Sequence, residues 1–289
     1  MKRNKTIMLT LVIIILLIPL LLFSRRNYQS ERATIIPIAT PTLFVHGWGS
    51  SYHAEENMVS AAQKSGASNS VIRADVSPDG KVTLIGTIKK NAKNPIIEAN
   101  FQNNKSVSPY ATNQALSLSK SSNYVKDIIL TLQKKYHFKK INLVGHSMGN
   151  LQIAYFLRNN LSNTNLPKLN KQVSIAGHYN GYIGEIGAPK HTVLNQDGSP
   201  QKMAASYRGL LTLRKNFPKT ANVLNIYGNT GKGNDGAVDV NSARSYRYLV
   251  SKQAGSYQEQ EIYGKTGQHS QLHENQKVNQ LLINFLWPK

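Results

Sequence analysis

Short apolar runs alternate with longer amphipathic stretches along most of this chain, and they predict a sheet whose strands are connected by helices. The strand-like runs are Thr42–Val45, Ser70–Ala74, Lys140–Gly145, Gln172–Ala176, Val223–Gly228 and Gln258–Tyr263. The helical patterns lie near Glu55–Lys64, Asn113–Tyr136, Met148–Leu161, Ala205–Phe217, Ser242–Gln253 and Glu274–Leu286. This order is typical of the α/β class, with a mostly parallel, doubly wound sheet that helices cover on both faces.

Three segments depart from this alternation. Val76–Val82 contains an Asp-Gly pair between extended residues and predicts an extra hairpin after the second strand. His178–Gln201 and Asn100–Thr112 are irregular and rich in polar residues, Gly or aromatics. Both are long enough to form a lid over a site at the edge of the sheet, although ordinary surface loops have the same composition.

The third predicted strand leads directly into Gly145–Gly149, whose sequence is Gly-His-Ser-Met-Gly, and a helical stretch follows. A serine hydroxyl becomes exposed for attack when a sharp strand-to-helix turn lifts it out of the sheet, and the flanking glycines let neighbouring backbones pass close to that turn. The motif alone occurs by chance in many chains, so the strand before it and the helix after it carry the prediction. Ser147 is the predicted nucleophile.

The base is expected late in the chain, because a serine on such a turn is followed first by its acid and then by its histidine. His269 lies in the loop just past the last predicted strand and is the preferred base. His273 is about one helical turn later and is the alternative. The simpler interpretation of His273 is a histidine on the surface or near the site that takes no direct part in catalysis.

The acid is expected after the strand Val223–Gly228, beside the loop that carries the base. Asp235, in an Asn-Asp-Gly turn, is the preferred acid, and Asp239 is the alternative. Asp197 and Glu185 precede this strand and are less suitable.

An oxyanion hole would require backbone N–H groups that point at the attacked carbonyl. Met148 follows the nucleophile and supplies the first predicted donor. Trp48 supplies the second, because it lies in a glycine-containing turn after the first strand. His46 precedes the serine, and we interpret it as a packing and hydrogen-bonding residue beneath the site.

Four motifs together resemble a family of membrane-associated, cell-surface α/β-hydrolases of uncharacterised function from low-GC Gram-positive bacteria. They are Phe44–Gly49, Val144–Asn150, Asn234–Gly236 and His269–Asn275. The resemblance covers about residues 40 to 289 and implies an α/β-hydrolase fold. It also implies that Ser147, Asp235 and His269 form the triad, as in the small bacterial lipases that this family is similar to. Asn150 replaces a glycine that many hydrolases have there, which should affect helix packing rather than chemistry.

The amino-terminal segment predicts a membrane anchor. Nineteen consecutive residues, from Thr6 to Ser24, carry no charge. At about 1.5 Å per helical residue they nearly match a hydrocarbon core roughly 30 Å thick. Arg25 and Arg26 follow where a cleaved signal peptide would end in small residues, so an uncleaved anchor over residues 1–26 is favoured over a signal peptide. The slight excess of basic residues before the segment favours a catalytic domain outside the cytoplasm.

The amino-acid composition limits the catalytic mechanisms that are available to this chain. The chain has no cysteine, which excludes disulfides and thiolate catalysis, and it lacks the spacing of common metal-binding motifs. Its net charge is +21; residues 1–26 hold five basic residues and no acid, which leaves 30 basic and 14 acidic residues and a net charge of +16. Such a charge attracts anionic lipids or wall polymers, although it also serves solubility. No nucleic-acid module is recognisable, so nucleic acid is not an expected partner.

These observations predict an anchor at residues 1–26, a tether at 27–40 and one catalytic domain at 41–289. The expected activity is that of a membrane-anchored, extracytoplasmic serine hydrolase, lipase- or carboxylesterase-like, acting on an acyl ester without a cofactor. Two alternatives stay open. An acyltransferase would use the same triad with a different acceptor. A non-catalytic surface-binding protein would retain only the fold.

Overall fold

The computed structural model describes residues 38–108, 110–111 and 114–288. The predicted anchor at residues 1–26 and most of the predicted tether at 27–40 lie outside these residues. In the part of the chain that is described, no helix has both the length and the apolar character needed to cross a membrane.

An eight-stranded sheet forms the centre of the described unit. Its strands are β1 (Thr42–Val45), β2 (Val71–Val76), β3 (Val82–Ile85), β4 (Ile96–Phe101), β5 (Lys140–His146), β6 (Lys168–Ile175), β7 (Asn222–Asn229) and β8 (Ser256–Tyr263). Their order across the sheet is β3-β2-β4-β1-β5-β6-β7-β8. Among the strands of the described residues, only the β2–β3 pair is antiparallel, which confirms the predicted hairpin and the mostly parallel sheet.

Helices connect these strands, and one more helix follows the last strand. They are α1 (Glu56–Lys64), α2 (Gln114–Ser121), α3 (Asn123–Tyr136), α4 (Met148–Asn159), α5 (Ala205–Gly209), α6 (Leu213–Asn216), α7 (Val240–Arg244), α8 (Tyr246–Val250) and α9 (Gln276–Leu286). Short 3-10 helices occur at Tyr52–Ala54, Lys265–Gly267 and His269–Glu274. One apolar cluster joins the sheet to α3, α4 and α8, and a second joins it to α1 and α9. Helices therefore cover both faces, as the α/β-hydrolase fold requires.

The structure corrects the sequence-based boundaries at several places. The pattern gave no strand at Ile96–Phe101, which is β4 and lies between β2 and β1. The long helix predicted near Asn113–Tyr136 is divided into α2 and α3, and Ser122 at the junction donates a hydrogen bond to the carbonyl of Ser119 at 2.7 Å. A serine that bonds to a nearby carbonyl competes with helical hydrogen bonding, which accounts for the break.

Glu55, just before α1, is a buried carboxyl. It is 1% exposed, and neither of its carboxylate oxygens has a hydrogen-bond partner among the described residues. Burial raises the pKa of Glu55 well above its usual value, and the charge of Glu98 raises it further. The folded protein therefore retains the neutral acid at pH values where the unfolded chain is ionised.

Replacing Glu55 by glutamine is expected to stabilise the protein increasingly as the pH rises. An acidic group whose pKa is raised on folding favours the folded state most below its unfolded pKa of about 4.3. This contribution to stability is lost as the pH rises through the pKa of the folded state. The melting temperature of Glu55→Gln should exceed that of the wild type at pH 8 by about 2–4 °C for each kcal/mol of avoided charge burial. Glu274→Gln, at an exposed carboxyl, is the control. A Glu55→Gln difference that stays constant from pH 5 to 9 would contradict this account.

Candidate active site

Ser147 lies at the turn between β5 and α4. Its backbone φ of 51° is in the left-handed region, which is uncommon for a residue other than glycine. The turn is attached to the neighbouring strand, because the N–H of Ser147 donates to the carbonyl of Ile175 at 2.9 Å. This is the local geometry that the motif predicts, with the serine side chain raised at the end of the sheet.

The two glycines of the motif are required by close packing on either side of this turn. A Cβ on Gly149 would overlap the carbonyl oxygens of Val45 and His46, and a Cβ on Gly145 would overlap Asn150. The side-chain amide of Asn150 donates to the carbonyl of Ile175 at 2.7 Å. Asn150 therefore ties α4 to the end of β6, in the helix-packing role expected of it.

The structure brings His269 into contact with Ser147. The Nε2 of His269 lies 2.9 Å from the Oγ of Ser147, and its Nδ1 lies 2.8 Å from the Oδ2 of Asp235. A carboxylate accepts hydrogen bonds, so Nδ1 carries the proton and Nε2 is free to accept the serine hydroxyl. The three residues predicted from chain order thus form one continuous hydrogen-bonded chain.

Asp235 is held on its other side by the backbone. Its Oδ1 accepts the N–H groups of Ala237 and Val238 at 2.8 and 2.6 Å, and the residue is 1% exposed. The peptide group between Ala237 and Val238 has a second partner, because its carbonyl accepts the N–H of Ile183 at 2.9 Å. The backbone N–H of His269 also donates to the carbonyl of Asp235 at 2.8 Å. These bonds fix the acid relative to both the base and the segment containing Ile183.

The alternative acid, Asp239, has a different position and a different role. Its side chain accepts the N–H of Asn241 and caps the N-terminus of α7. Its second oxygen lies 3.7 Å from the Nδ1 of His191. Asp197, the other early candidate, accepts hydrogen bonds from Ser199 within its own turn.

The alternative base, His273, forms no hydrogen bond with Ser147 among the described residues. Its Nδ1 lies 3.0 Å from the Oε1 of Glu274. Its ring packs edge-on against His146 at 4.8 Å between ring centroids. His273 therefore contributes to the surroundings of the site rather than to the chain of hydrogen bonds.

The two predicted oxyanion donors meet at the same place. Trp48 and Met148 both line a cavity beside Ser147, and neither backbone N–H has a hydrogen-bond acceptor in the described part of the chain. Met148 begins α4, where the helix dipole adds a favourable field for negative charge. The Trp48 loop is held from the other side, since the Nε1 of Trp48 donates to the carbonyl of Val107 at 2.8 Å.

Two neutral histidines support the site. The Nε2 of His46 accepts the N–H of Phe101 at 3.1 Å, so its Nδ1 donates to the carbonyl of Gly47 at 2.8 Å. His46 thus has the packing and hydrogen-bonding position expected from the sequence. The Nε2 of His146 donates to the carbonyl of His269 at 3.1 Å, and burial lowers the pKa of His146 well below its usual value. His146 was not singled out from the sequence, although its place directly before Ser147 was the available signal.

The cavity beside Ser147 has a volume of about 310 Å³. This is near the lower limit for small-molecule sites in proteins. Its apolar wall is formed mainly by Trp48, Val107, Leu118, Met148 and Val238. Val107 belongs to the predicted lid segment Asn100–Thr112, so part of that segment shapes the cavity.

The polar lining comes mainly from residues that the sequence did not identify as site residues. His178, Tyr182 and Glu185 belong to the other predicted lid segment, and Ser206 belongs to α5. Burial raises the pKa of Glu185 to about 7 and lowers the pKa of His178 to about 3. His178 is therefore neutral near pH 7, while the carboxyl of Glu185 changes from protonated to ionised in that range. No local motif marks Glu185, which the sequence presented only as a weak candidate for the triad acid.

Comparison with known proteins agrees with this fold. No curated protein sequence matches the chain. The product of gene lin2722 from Listeria innocua has 23% sequence identity and a TM-score of 0.73, over 86% of this chain and 94% of that one. A protein from Lactobacillus plantarum WCFS1, described as a cell surface hydrolase, has 21% identity and a TM-score of 0.66, over 86% of this chain and 89% of that one.

A family match extends from residue 29 to residue 289 and confirms the resemblance drawn from the four motifs. The family is described as alpha/beta hydrolase of unknown function (DUF915). The matched residues include the strand-to-helix turn at Ser147 and the loops of Asp235 and His269. Because the match covers most of the chain, the protein belongs to this family of α/β-hydrolases.

Proposed function

We propose that this α/β-hydrolase is a serine hydrolase that cleaves carboxylic esters through a triad of Ser147, His269 and Asp235. The observation that carries the proposal is the continuous chain of hydrogen bonds from the Ser147 hydroxyl through His269 to Asp235, at 2.9 and 2.8 Å. A merely structural serine has no need of a strained turn, an aligned imidazole and two vacant amide donors at one place.

The reaction would begin with attack of the Ser147 Oγ on the ester carbonyl while His269 accepts the hydroxyl proton. The N–H groups of Trp48 and Met148 would hold the carbonyl oxygen as it becomes negative. His269 would then give its proton to the leaving alkoxide, and an acyl-enzyme would remain. Water, deprotonated by His269, would release the acid and restore Ser147. Throughout, Asp235 would orient the imidazole and stabilise its positive charge.

A fluorophosphonate probe tests the proposal directly, because it labels a serine only when that serine is activated as a nucleophile. The purified catalytic domain is expected to be labelled once, with mass spectrometry locating the adduct on Ser147. Heat-denatured protein is the control and should remain unlabelled. Folded wild-type protein that is not labelled would instead favour the surface-binding alternative.

The cavity volume leads to an expectation about substrate size. A cavity of about 310 Å³ accommodates short acyl chains but not a complete long fatty acid. Esters of four to eight carbons should be cleaved with a kcat/KM at least about tenfold higher than esters of sixteen carbons. Adding alcohol or amine acceptors to the same assay separates hydrolysis from acyl transfer, since transfer would convert the ester into a new ester or amide.

We further propose that the enzyme is anchored in the cell membrane with its catalytic domain outside the cytoplasm. The support is the uncharged segment from Thr6 to Ser24 and the absence of an Ala-x-Ala type cleavage site between Phe23 and Arg26. In a Gram-positive host, the full-length chain should fractionate with membranes and lose its catalytic domain to protease added to intact cells. Removing residues 1–26 should yield a soluble, active enzyme. A secreted form beginning between Ser24 and Ala39 would identify a cleaved signal peptide and exclude the anchor.

A further inference from the structure

One region of the cavity contains polar groups with unused hydrogen-bonding capacity. Glu185 is 9% exposed, and only its Oε2 accepts a hydrogen bond from the described chain, from the N–H of Tyr182 at 3.2 Å. Ser206 is 2% exposed, and its buried hydroxyl has no hydrogen-bond partner among the described residues. Buried polar groups are usually paired, and a molecule bound in the cavity can supply the missing partners for both groups.

Tyr155 contacts the backbone of Ser206. Its hydroxyl donates to the carbonyl of Ser206 at 2.8 Å. Burial raises the pKa of Tyr155, and the charge of Glu185 raises it further. Glu185 and Ser206 therefore line the same cavity, and both act on the buried phenol of Tyr155.

The charge of Glu185 is uncompensated within the described residues. Basic residues outnumber acidic ones by 35 to 14 in this chain, yet no basic nitrogen in the described residues lies within 4.0 Å of the Glu185 carboxylate. A carboxylate in a poorly hydrated cavity is costly unless a cation or several hydrogen-bond donors accompany it. Because Glu185 lines the cavity, a bound molecule can supply that cation.

We propose that the natural substrate carries a primary ammonium group, and that the carboxylate of Glu185 and the hydroxyl of Ser206 bind this group in the cavity beside Ser147. An ammonium has three donors, which suits an acceptor carboxylate next to a hydroxyl. The inference rests on the ester hydrolase function proposed above, and it narrows the substrate to an amino-bearing ester. Glu185 and Ser206 then determine specificity and take no part in the proton transfers.

Matched ester pairs test this inference. The 6-aminohexanoyl and heptanoyl esters of one alcohol compare an ammonium with a methyl group at the end of the acyl chain. The 6-aminohexyl and heptyl hexanoates make the same comparison in the alcohol. The released acid is measured by chromatography at pH 8, after subtraction of a blank without enzyme. In at least one pair the amino ester is expected to have the higher kcat/KM, by about tenfold or more, as for a hydrogen-bonded charge.

Variants show whether this preference depends on the proposed residues. Glu185→Gln should reduce the ratio of kcat/KM between the amino ester and its partner to about one, and Ser206→Ala should reduce it in part. Glu98→Gln is the matched control, because Glu98 is also buried with a pKa raised to about 7 but does not line this cavity. Equal turnover of both members of each pair by the wild type would overturn the inference. A preference that persists in Glu185→Gln would also overturn it, as would a greater preference for matching hydroxy esters.

A binding measurement separates failure of this inference from failure of the proposed function. Calorimetry at constant ionic strength should show that hexylammonium binds to the wild-type domain about tenfold or more tightly than hexanol, and that Glu185→Gln removes the difference. If no ester is cleaved and no probe labels Ser147, this result would retain the ammonium site and exclude only the hydrolase function. Equal binding of the two ligands would exclude the ammonium site.

Discussion

Replacing Ser147 by alanine is expected to reduce ester turnover by about 10⁴- to 10⁶-fold, and His269→Ala should have an effect of similar size. The first change removes the nucleophilic oxygen, and the second removes the group that accepts its proton. Neither side chain fills the apolar core, so both variants should keep the circular dichroism spectrum and melting transition of the wild type. Initial rates on a short-chain ester, together with fluorophosphonate labelling, provide the measurement.

His273→Ala is the matched control for His269→Ala. It removes a nearby imidazole that contacts Glu274 and His146 but not the serine hydroxyl. Turnover should remain within a few-fold of the wild-type value. Folded His269→Ala with normal turnover, combined with inactive His273→Ala, would assign the base to His273 instead.

The second large effect is expected for Asp235→Asn, which should reduce kcat by about 10³- to 10⁴-fold. Asparagine has nearly the same shape and can still accept the N–H groups of Ala237 and Val238 through its remaining oxygen. It loses the negative charge that stabilises the imidazolium, and its amide can donate to His269 and so favour the wrong tautomer. The pre-steady-state burst of product is the appropriate measurement, because acylation of Ser147 is the first step affected.

Asp239→Asn provides the control for this charge removal. Asparagine is as good a helix N-cap as aspartate, so α7 should form normally. The variant changes the net charge by the same amount only a few residues away, and we expect nearly full activity. Normal activity in Asp235→Asn with loss in Asp239→Asn would identify Asp239 as the acid.

The sequence predicted Ser147, Asp235 and His269 as a group because each lies in a turn that follows a predicted strand. Ser147 is marked by its glycines and by the strand before it, while Asp235 and His269 are marked by turns that follow apolar runs. Parallel strands direct their carboxyl ends to one edge of the sheet, which is why three such turns meet. The alternatives Asp239 and His273 also follow these strands, and only the observed contacts separate them from the preferred residues.

Other features depend on contacts between distant parts of the chain and have no local signal. The strand Ile96–Phe101 is interrupted by Glu98 and Asn100, so its apolar run is short. Its central place in the sheet results from pairing with β1 and β2 on either side. Likewise, Glu185 lies in an irregular segment, and its place in the cavity wall depends on residues far from it in the chain, such as Trp48 and Met148.

The peptide group between Ala237 and Val238 links the wall of the cavity beside Ser147 to Asp235, the proposed catalytic acid. Its carbonyl binds the segment that carries Tyr182 and Glu185, while its N–H binds Asp235. A cavity segment transplanted from a relative would therefore need to preserve the N–H at position 183, or the acid would lose part of its support. New specificities should be easier to obtain by point substitutions within this segment than by exchanging it, deleting it or changing its length.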